Sequence, residues 1–323
     1  MELLAPVRMG PLTDTIHQQV QTRVSIIICT YNRDALLLEN LKSLLKQTAA
    51  PHLYEIIVVD NAGSSATARL VASMAAGAPF HRLRYYKEYR NGSCIARNRG
   101  LREVNSAWTC FMDDDALADS CYVEELLAAI EKYPDATGFG GKILPRYLTT
   151  PPLWMNRFVQ TAFVSQLDNG NAEGLFDGKR KWYPFGCNMV YTTSFLRETG
   201  GFDEDLGRKG RVGLTGDDKM IYLKAKRAGR KVYYLPRLVV YHLIEPLRLE
   251  KPYLRQISYA IGKSESIRTK KQSLPAQGKK LADVLWKMGA SVVLGAWYLL
   301  QRQPGKAYYV LFFRYHILIG FLR

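Results

Sequence analysis

The chain has 323 residues, 47% of them apolar, which is enough to bury a sizeable core and excludes a disordered tail. Its net charge of +16 is unevenly placed: Leu243 to Arg323 carries 14 Lys/Arg against four Asp/Glu, a surplus of ten that leaves six for the other 242 residues. The five cysteines, Cys29, Cys94, Cys110, Cys121 and Cys187, form no C-x-x-C pair, so neither a disulfide framework nor a zinc cluster is expected and reduced thiols are. The start, MELLAPVRMGPLTDTIHQQV, has no apolar core between a basic start and a small-residue cleavage site, and no signal peptide is expected.

Strands and helices then alternate. VSIIIC (24–29) is a short β-branched run, a candidate buried strand, and ALLLENLKSLLKQ (35–47) sets Leu37, Leu38, Leu41, Leu44 and Leu45 at helical spacing. YEIIVVD (54–60) reads as a second strand, 64–76 as a helix and RLRYY (82–86) as a third strand. A helix over 93–104, a strand WTCFM (108–112) and an amphipathic helix over 121–133 follow. This alternation predicts an α/β fold with a mainly parallel, doubly wound sheet.

Three of these strands end in polar residues: Thr30-Tyr31-Asn32, Asp60-Asn61 and Asp113-Asp114-Asp115. Three adjacent carboxylates repel one another, and an acidic run taken alone is most often a solvated turn. In open parallel sheets, however, ligands sit beyond the carboxyl ends of the strands, so the three ends together place acceptors and a hard-metal site on one rim. Carboxylates suit Mg²⁺ or Mn²⁺, the ions that commonly bind a diphosphate. NGSCIARNRG (91–100) adds a turn followed by Arg97 and Arg99 on a helix, where a guanidinium can face a phosphate.

In this order, Thr30-Tyr31-Asn32-Arg33, Val59-Asp60-Asn61, NGSCIARNRG and Asp113–Asp115 resemble family 2 of the nucleotide-sugar glycosyltransferases. The likeness continues more loosely through GCNMVYTTSFLRETGGFDEDL (186–206) and TGDDKMIYLKAKRAGRKVYYLP (215–236) to His242. The resemblance implies a GT-A fold: a Rossmann-like, mainly parallel mixed sheet flanked by helices. It implies that Asp60 meets the nucleotide base, with Thr30, Tyr31, Asn32 and Arg33 lining the same pocket and Arg97 near the base or phosphate. Asp113 would face the ribose, Asp114 would assist, and Asp115 would be the direct metal ligand, with Asp113 and His242 near the Mn²⁺ or Mg²⁺. Asp217-Asp218 stands where the family usually has Glu-Asp, which implies Asp218 as general base with Asp217 as its rival. No Q-x-x-R-W motif follows, so transfer of a single sugar, with inversion, is implied.

The segment 145–185 is rich in Pro, Gly and aromatics, a composition of loops around a cleft, where Trp154, Trp182 and Tyr183 are candidates to stack on a sugar. Beyond it, LADVLWKMGASVVLGAWYLL (281–300) and AYYVLFFRYHILIGFLR (307–323) form a helix–turn–helix pattern interrupted by Lys287, Arg314 and His316. Neither is a clean span of roughly 20 apolar residues. With Trp286, Trp297, Tyr298, Tyr308 and Tyr309 suited to an interface and Lys270-Lys271 and Lys279-Lys280 upstream, the pair is expected to lie on an anionic membrane surface, on its cytoplasmic face. The alternative is a helical pair packed on the catalytic domain or a second subunit.

The expected division is an N-terminal extension (1–22), a catalytic domain (23–245, with a nucleotide-sugar half 23–120 and an acceptor half 121–245) and a basic helical appendage (246–323). The expected reaction moves one sugar from a nucleotide-sugar, UDP favoured, to a glycan or lipid-linked acceptor. A nucleotidyltransferase would open with a Gly-rich basic loop, which CTYNRDALLL is not. A nucleic-acid module would not cluster aspartates at strand ends, because carboxylates oppose phosphate, so no nucleic-acid partner is expected. A sugar-binding scaffold on a degenerate transferase fold is the other reading, opposed by the presence of both acidic clusters.

Overall fold

The structure is a computed structural model that describes residues 22–78, 82–177, 182–208 and 213–323. Of the expected N-terminal extension, 1–21 lie outside these described residues. Four strands, β1 (Val24–Thr30), β2 (Tyr54–Asp60), β3 (Arg82–Lys87) and β4 (Trp108–Asp113), alternate with three helices, α1 (Asp34–Leu44), α2 (Ser65–Ala76) and α3 (Ser93–Glu103). β1 lies between β2 and β4, and β2 pairs with β3, all parallel. Every residue of β2 is buried, which is why the parallel strands read as unbroken apolar runs rather than alternating ones.

The second half turns the sheet mixed. β5 (Ala116–Ala118), α4 (Tyr122–Lys132), β6 (Ala136–Tyr147), α5 (Arg157–Val164), β7 (Gly174–Leu175), β8 (Met189–Thr192), α6 (Thr193–Glu198), α7 (Asp217–Arg227) and β9 (Lys231–Ile244) follow in order. β8 runs antiparallel between β4 and β6, while β9 pairs parallel with β6 and antiparallel with β5. Among the described residues the sheet reads β3-β2-β1-β4-β8-β6-β9-β5, with β7 beside β9. The expected α/β architecture and its flanking helices are present.

Three further helices close the chain: α8 (Lys251–Lys270), α9 (Leu274–Leu300) and α10 (Pro304–Leu322). α8 lies in the region expected to be helical but was not placed as a separate element, and α9 starts earlier than the expected 281, behind Ser273, whose hydroxyl accepts the Ala276 N–H. These helices have a core of their own, in which Leu254 and Ile257 meet Val310, Phe313 and Ile317 as well as Val159 and Phe163 of α5. α8 and α10 cross with backbones touching: a Cβ on Gly262 would stand 2.0 Å from the Ile317 carbonyl oxygen, and one on Gly320 2.1 Å from that of Tyr259. Backbone cannot yield as a side chain tip can, so Gly262→Ala is expected to lower stability by about 1–3 kcal/mol, the usual cost of overpacking. Urea unfolding measures this, and an unchanged midpoint contradicts the crossing. Among the described residues no helix is long and apolar enough to cross a membrane.

Candidate active site

The strand ends set the site. Thr30 pairs with Asp60 and Cys29 with Asp113 across the parallel ladder, so three chain segments leave the sheet side by side. Asn32 turns the chain from β1 towards α1 in the left-handed region, φ 52°. Beyond these ends lies a cleft of about 980 Å³, with Thr30, Tyr31, Arg33, Arg97 and the three aspartates on one wall. Asp217 and Asp218 stand at the start of α7, and α8, α9 and α10 supply the remaining wall.

The three aspartates coexist because arginines surround them, Arg33 meeting two of the three. The Asp113 side chain, 42% exposed, accepts from Arg97 Nη2 at 2.9 Å. Asp114 is buried and accepts from Thr30 Oγ1 at 2.8 Å and Arg33 Nη1 at 2.7 Å. Burial and the neighbouring Asp115 push its carboxyl up to about 7, against the pull of Arg33. Asp115 is also buried, 2.5 Å from Arg248 Nη2 and 2.9 Å from Arg33 Nη2. Burial alone would raise it, but Arg248 and Arg33 hold it well below the usual carboxylate range. Arg33 also reaches Glu245 at 2.6 Å, so this one guanidinium ties three carboxylates.

His242 arrives on β9, which pairs with β5 so that His242 faces Ala116, the residue after Asp115. Its Nδ1 lies 2.7 Å from the Val164 carbonyl oxygen; a carbonyl only accepts, so Nδ1 carries the proton. Nε2 lies 3.3 Å from Arg248 Nη1 and 3.3 Å from Asp115 Oδ1. That Oδ1 is buried and receives no hydrogen bond. An orphaned carboxylate oxygen beside an imidazole nitrogen, with the other ring nitrogen fixed by a carbonyl, fits two of a divalent ion's ligands. No group of three or more such ligands occurs among the described residues, so a bound diphosphate and water would have to complete the shell.

Arg97 is buried between two carboxylates, pairing with Asp217 through Nη1 and Asp113 through Nη2. Its guanidinium also lies 5.5 Å from the centre of the Phe202 ring. Asp217 is thereby committed to Arg97. Asp218 is held differently: Oδ2 accepts the Gly186 N–H at 3.0 Å and Oδ1 the Lys219 N–H at 2.7 Å. Burial and the charge of Asp217 push its carboxyl up to about 7, with Arg97 and the two backbone donors opposing.

Asp60 is fully buried, with Oδ1 accepting from the Ala62 and Gly63 N–H groups and Oδ2 from the Tyr85 hydroxyl at 2.8 Å. It stands beneath the cleft rather than on its wall, whereas Asn61 and the half-exposed Tyr31 reach the wall. Asn61 ties the neighbouring loop, donating to Glu88 O and Arg90 O and accepting from the Gly92 N–H. Trp182 and Tyr183 line the cleft. Trp154 does not: its ring stacks on Tyr309 of α10 at 4.1 Å, which leaves that face no room for a sugar.

Several site residues were missed in the sequence. Arg248 and Glu245 lie in a short connection after β9, far in sequence from the aspartates they meet. Ser264 Oγ of α8 accepts the Thr215 N–H at 2.8 Å, fixing the approach to Asp217-Asp218. One residue on, Glu265 pairs with Lys219 at 2.5 Å, Arg268 at 2.5 Å and Lys280 at 3.2 Å. Burial would raise Glu265, but these cations hold it at about 2. The appendage is thus joined by ion pairs to the helix that carries the aspartate pair.

A curled mixed sheet with acidic strand ends over such a cleft defines a glycosyltransferase of GT-A fold, and comparison with known proteins agrees. Residues 25–200 match the model for "Glycosyl transferase family 2", and the chain belongs to that family as a glycosyltransferase. It is 24% identical over 251 residues to a glucosyl-dolichyl phosphate glucuronosyltransferase of Haloferax volcanii, covering 76% of this chain and 77% of that protein. It is 38% identical over 108 residues to a validoxylamine A glucosyltransferase of Streptomyces hygroscopicus subsp. limoneus, covering 33% of this chain but only 23% of that longer protein. Among solved structures, the mannosyltransferase PcManGT of Pyrobaculum calidifontis in complex with GDP-Man and Mn²⁺ superposes with a TM-score of 0.64 at 18% identity, covering 93% of this chain and 87% of that one. TarS 1–349 of S. aureus in complex with UDP gives 0.52 at 17% identity, with 93% and 90% covered.

Proposed function

We propose that this glycosyltransferase is metal-dependent and inverting, moving one sugar from a nucleoside-diphosphate sugar to a hydroxyl of a glycan or lipid-linked acceptor. The observation that carries the reading is Asp218, a carboxylate of near-neutral pKa that lines the same cleft as Asp113 and Asp115. In this reading the donor's base lies over Asp60, Thr30, Tyr31 and Asn32. Its diphosphate meets Arg97 and Arg33, and its ribose meets Asp113 with Asp114 behind. UDP-sugars are the first donors to test and GDP-sugars the second, since the structural neighbours hold UDP or GDP-Man.

Asp115 and His242, with Asp113 nearby, would hold Mn²⁺ or Mg²⁺, which when bound supplies positive charge to the departing diphosphate. The chain's own groups do the rest. Asp218 accepts the proton of the acceptor hydroxyl as its oxygen bonds to the anomeric carbon. The bond from that carbon to the diphosphate oxygen breaks on the opposite face, its electron pair leaving with the nucleotide, and Arg97 stabilises that charge. A single displacement of this kind inverts the configuration.

The pH dependence tests the base. A carboxyl with a pKa of about 7 is protonated and inactive below it, so donor turnover is expected to rise about tenfold per pH unit below 7 and level above it. A flat profile between pH 5 and 8 would remove Asp218 from the role.

The membrane reading rests on the outer face of α9. Trp286, Val293 and Leu300 are 70%, 72% and 84% exposed, and Leu285, Val292 and Trp297 extend the same patch. An apolar face this long on one helix, with Lys279, Arg302 and Lys306 near its two ends in sequence, suits the surface of an anionic bilayer. The full chain is expected to co-float with vesicles containing phosphatidylglycerol and the double variant Trp286→Glu/Trp297→Glu to remain unbound. Equal flotation of both excludes this face as the contact.

A further inference from the structure

We infer that the cleft carries a second anion site, centred on Arg314 and Lys287, for the phosphate of a lipid-phosphate-linked sugar acceptor. This rests on the transferase reading and specifies its acceptor.

The arginines already described, Arg33, Arg97 and Arg248, each meet at least one carboxylate. Arg314 of α10 lines the same cleft, half-buried, and among the described residues neither pairs with a carboxylate nor donates a hydrogen bond. Its guanidinium lies 5.0 Å from the centre of the Phe313 ring, in surroundings whose burial disfavours the charge. Asp283 opposes that effect only from a distance, being held itself by Lys280 and Lys287 at 2.9 Å each. A partly desolvated guanidinium with its donors unused is built for a planar or tetrahedral oxyanion, and phosphate accepts its fork.

The wall beside it names the rest of the ligand. Ile257, Ile261, Val284, Phe313 and Ile317 line this end of the cleft, away from the strand ends. A free sugar has no use for such a wall, while a hydrocarbon chain does. Val284 belongs to α9, the helix whose outer face is exposed and apolar, so a chain on this wall has a short route to a lipid surface. Asp218 as base calls for a hydroxyl nucleophile, so the phosphate in question is not the attacking group. It is the linkage between the acceptor sugar and its lipid, and it needs a cation apart from the donor's Arg97.

The test uses the full chain with farnesyl phosphate, farnesol and inorganic phosphate as calorimetric probes. Farnesyl phosphate is expected to bind at least about tenfold more tightly than either other probe, the difference of one charge-assisted contact. Arg314→Gln should remove that advantage and Arg314→Lys keep part of it. Lys287→Gln, on a half-exposed position that tolerates change, should weaken binding in the same direction. Farnesol binding as tightly would leave an apolar groove without an anion site. Inorganic phosphate binding as tightly would leave an anion site without a lipid. Either result, or both glutamine variants binding like the wild type, overturns the inference. Donor hydrolysis by the wild type without acceptor is measured in parallel: its absence fails the transferase reading, and its presence with no farnesyl phosphate binding fails the lipid-phosphate site alone.

Discussion

Asp218→Asn is expected to lower the rate of sugar transfer by about 10²- to 10⁴-fold, the usual loss when a positioned general base is removed, while nucleotide-sugar affinity changes little. The amide matches the carboxylate in size and keeps an oxygen for one of the Gly186 and Lys219 N–H groups, giving up the other bond. What it loses is the ability to take a proton. Asp217→Asn should act differently, because Asp217 is the partner of Arg97 and its loss frees that guanidinium from the wall. Donor affinity would move with it. Near-normal transfer by Asp218→Asn together with abolition by Asp217→Asn would reverse the assignment. The raised pKa has a stability side as well. A carboxyl that titrates near 7 in the folded state and near 3.9 unfolded favours folding while it is protonated. That contribution is fully present below about pH 3.9 and is lost as pH rises towards 7, so Asp218→Asn should be more stable than the wild type at pH 8.

The second large effect is on Asp115. Asp115→Ala leaves Arg248 buried without a carboxylate, although Arg33 keeps Asp114 and Glu245. Removing one partner of a buried pair costs about 3–5 kcal/mol, which for a chain of this size lowers Tm by on the order of 10 °C. Thermal unfolding measures it, and a shift under about 2 °C contradicts the buried pair. In the same experiment Mn²⁺ with nucleotide should raise Tm in the wild type, since a ligand of the folded state stabilises by mass action, and should not do so in Asp115→Ala. An equal rise in both would move the metal away from Asp115 and His242.

Much of the catalytic half was legible because its signals are local. The runs VSIIIC and YEIIVVD are strands because nothing but a doubly covered sheet buries seven consecutive residues such as those of β2, and their polar ends mark the rim. The acidic run was legible as a site but not in its internal order. Asp113 closes β4 while Asp114 and Asp115 lie in the turn before β5, and the cations the three meet come from β1's end, α3 and the connection after β9. A pairing such as Arg248 with Asp115 joins residues 133 apart and leaves no periodic trace. α8 was missed because its buried positions include Ser258, Gly262, Ser264 and Ser266, polar or small residues that carry no apolar period. Gly262 is buried because α10 crosses there at backbone distance and Ser264 because it meets Thr215, properties of the partners rather than of the segment. The appendage was expected either to lie on a membrane or to pack on the catalytic domain or a second subunit, and through Ser264 and Glu265 it does pack on the segment that carries the aspartate pair.

The most direct measurement is nucleotide release from a panel of UDP- and GDP-sugars without acceptor, with Mn²⁺, with Mg²⁺ and with chelator, comparing wild type and Asp115→Asn. Water replaces the acceptor in such slow hydrolysis, so no acceptor need be known. One donor cleaved by the wild type only with metal, and not by the variant, is the expected result. Cleavage that persists in chelator, or that Asp115→Asn leaves intact, contradicts a metal site on the acidic run.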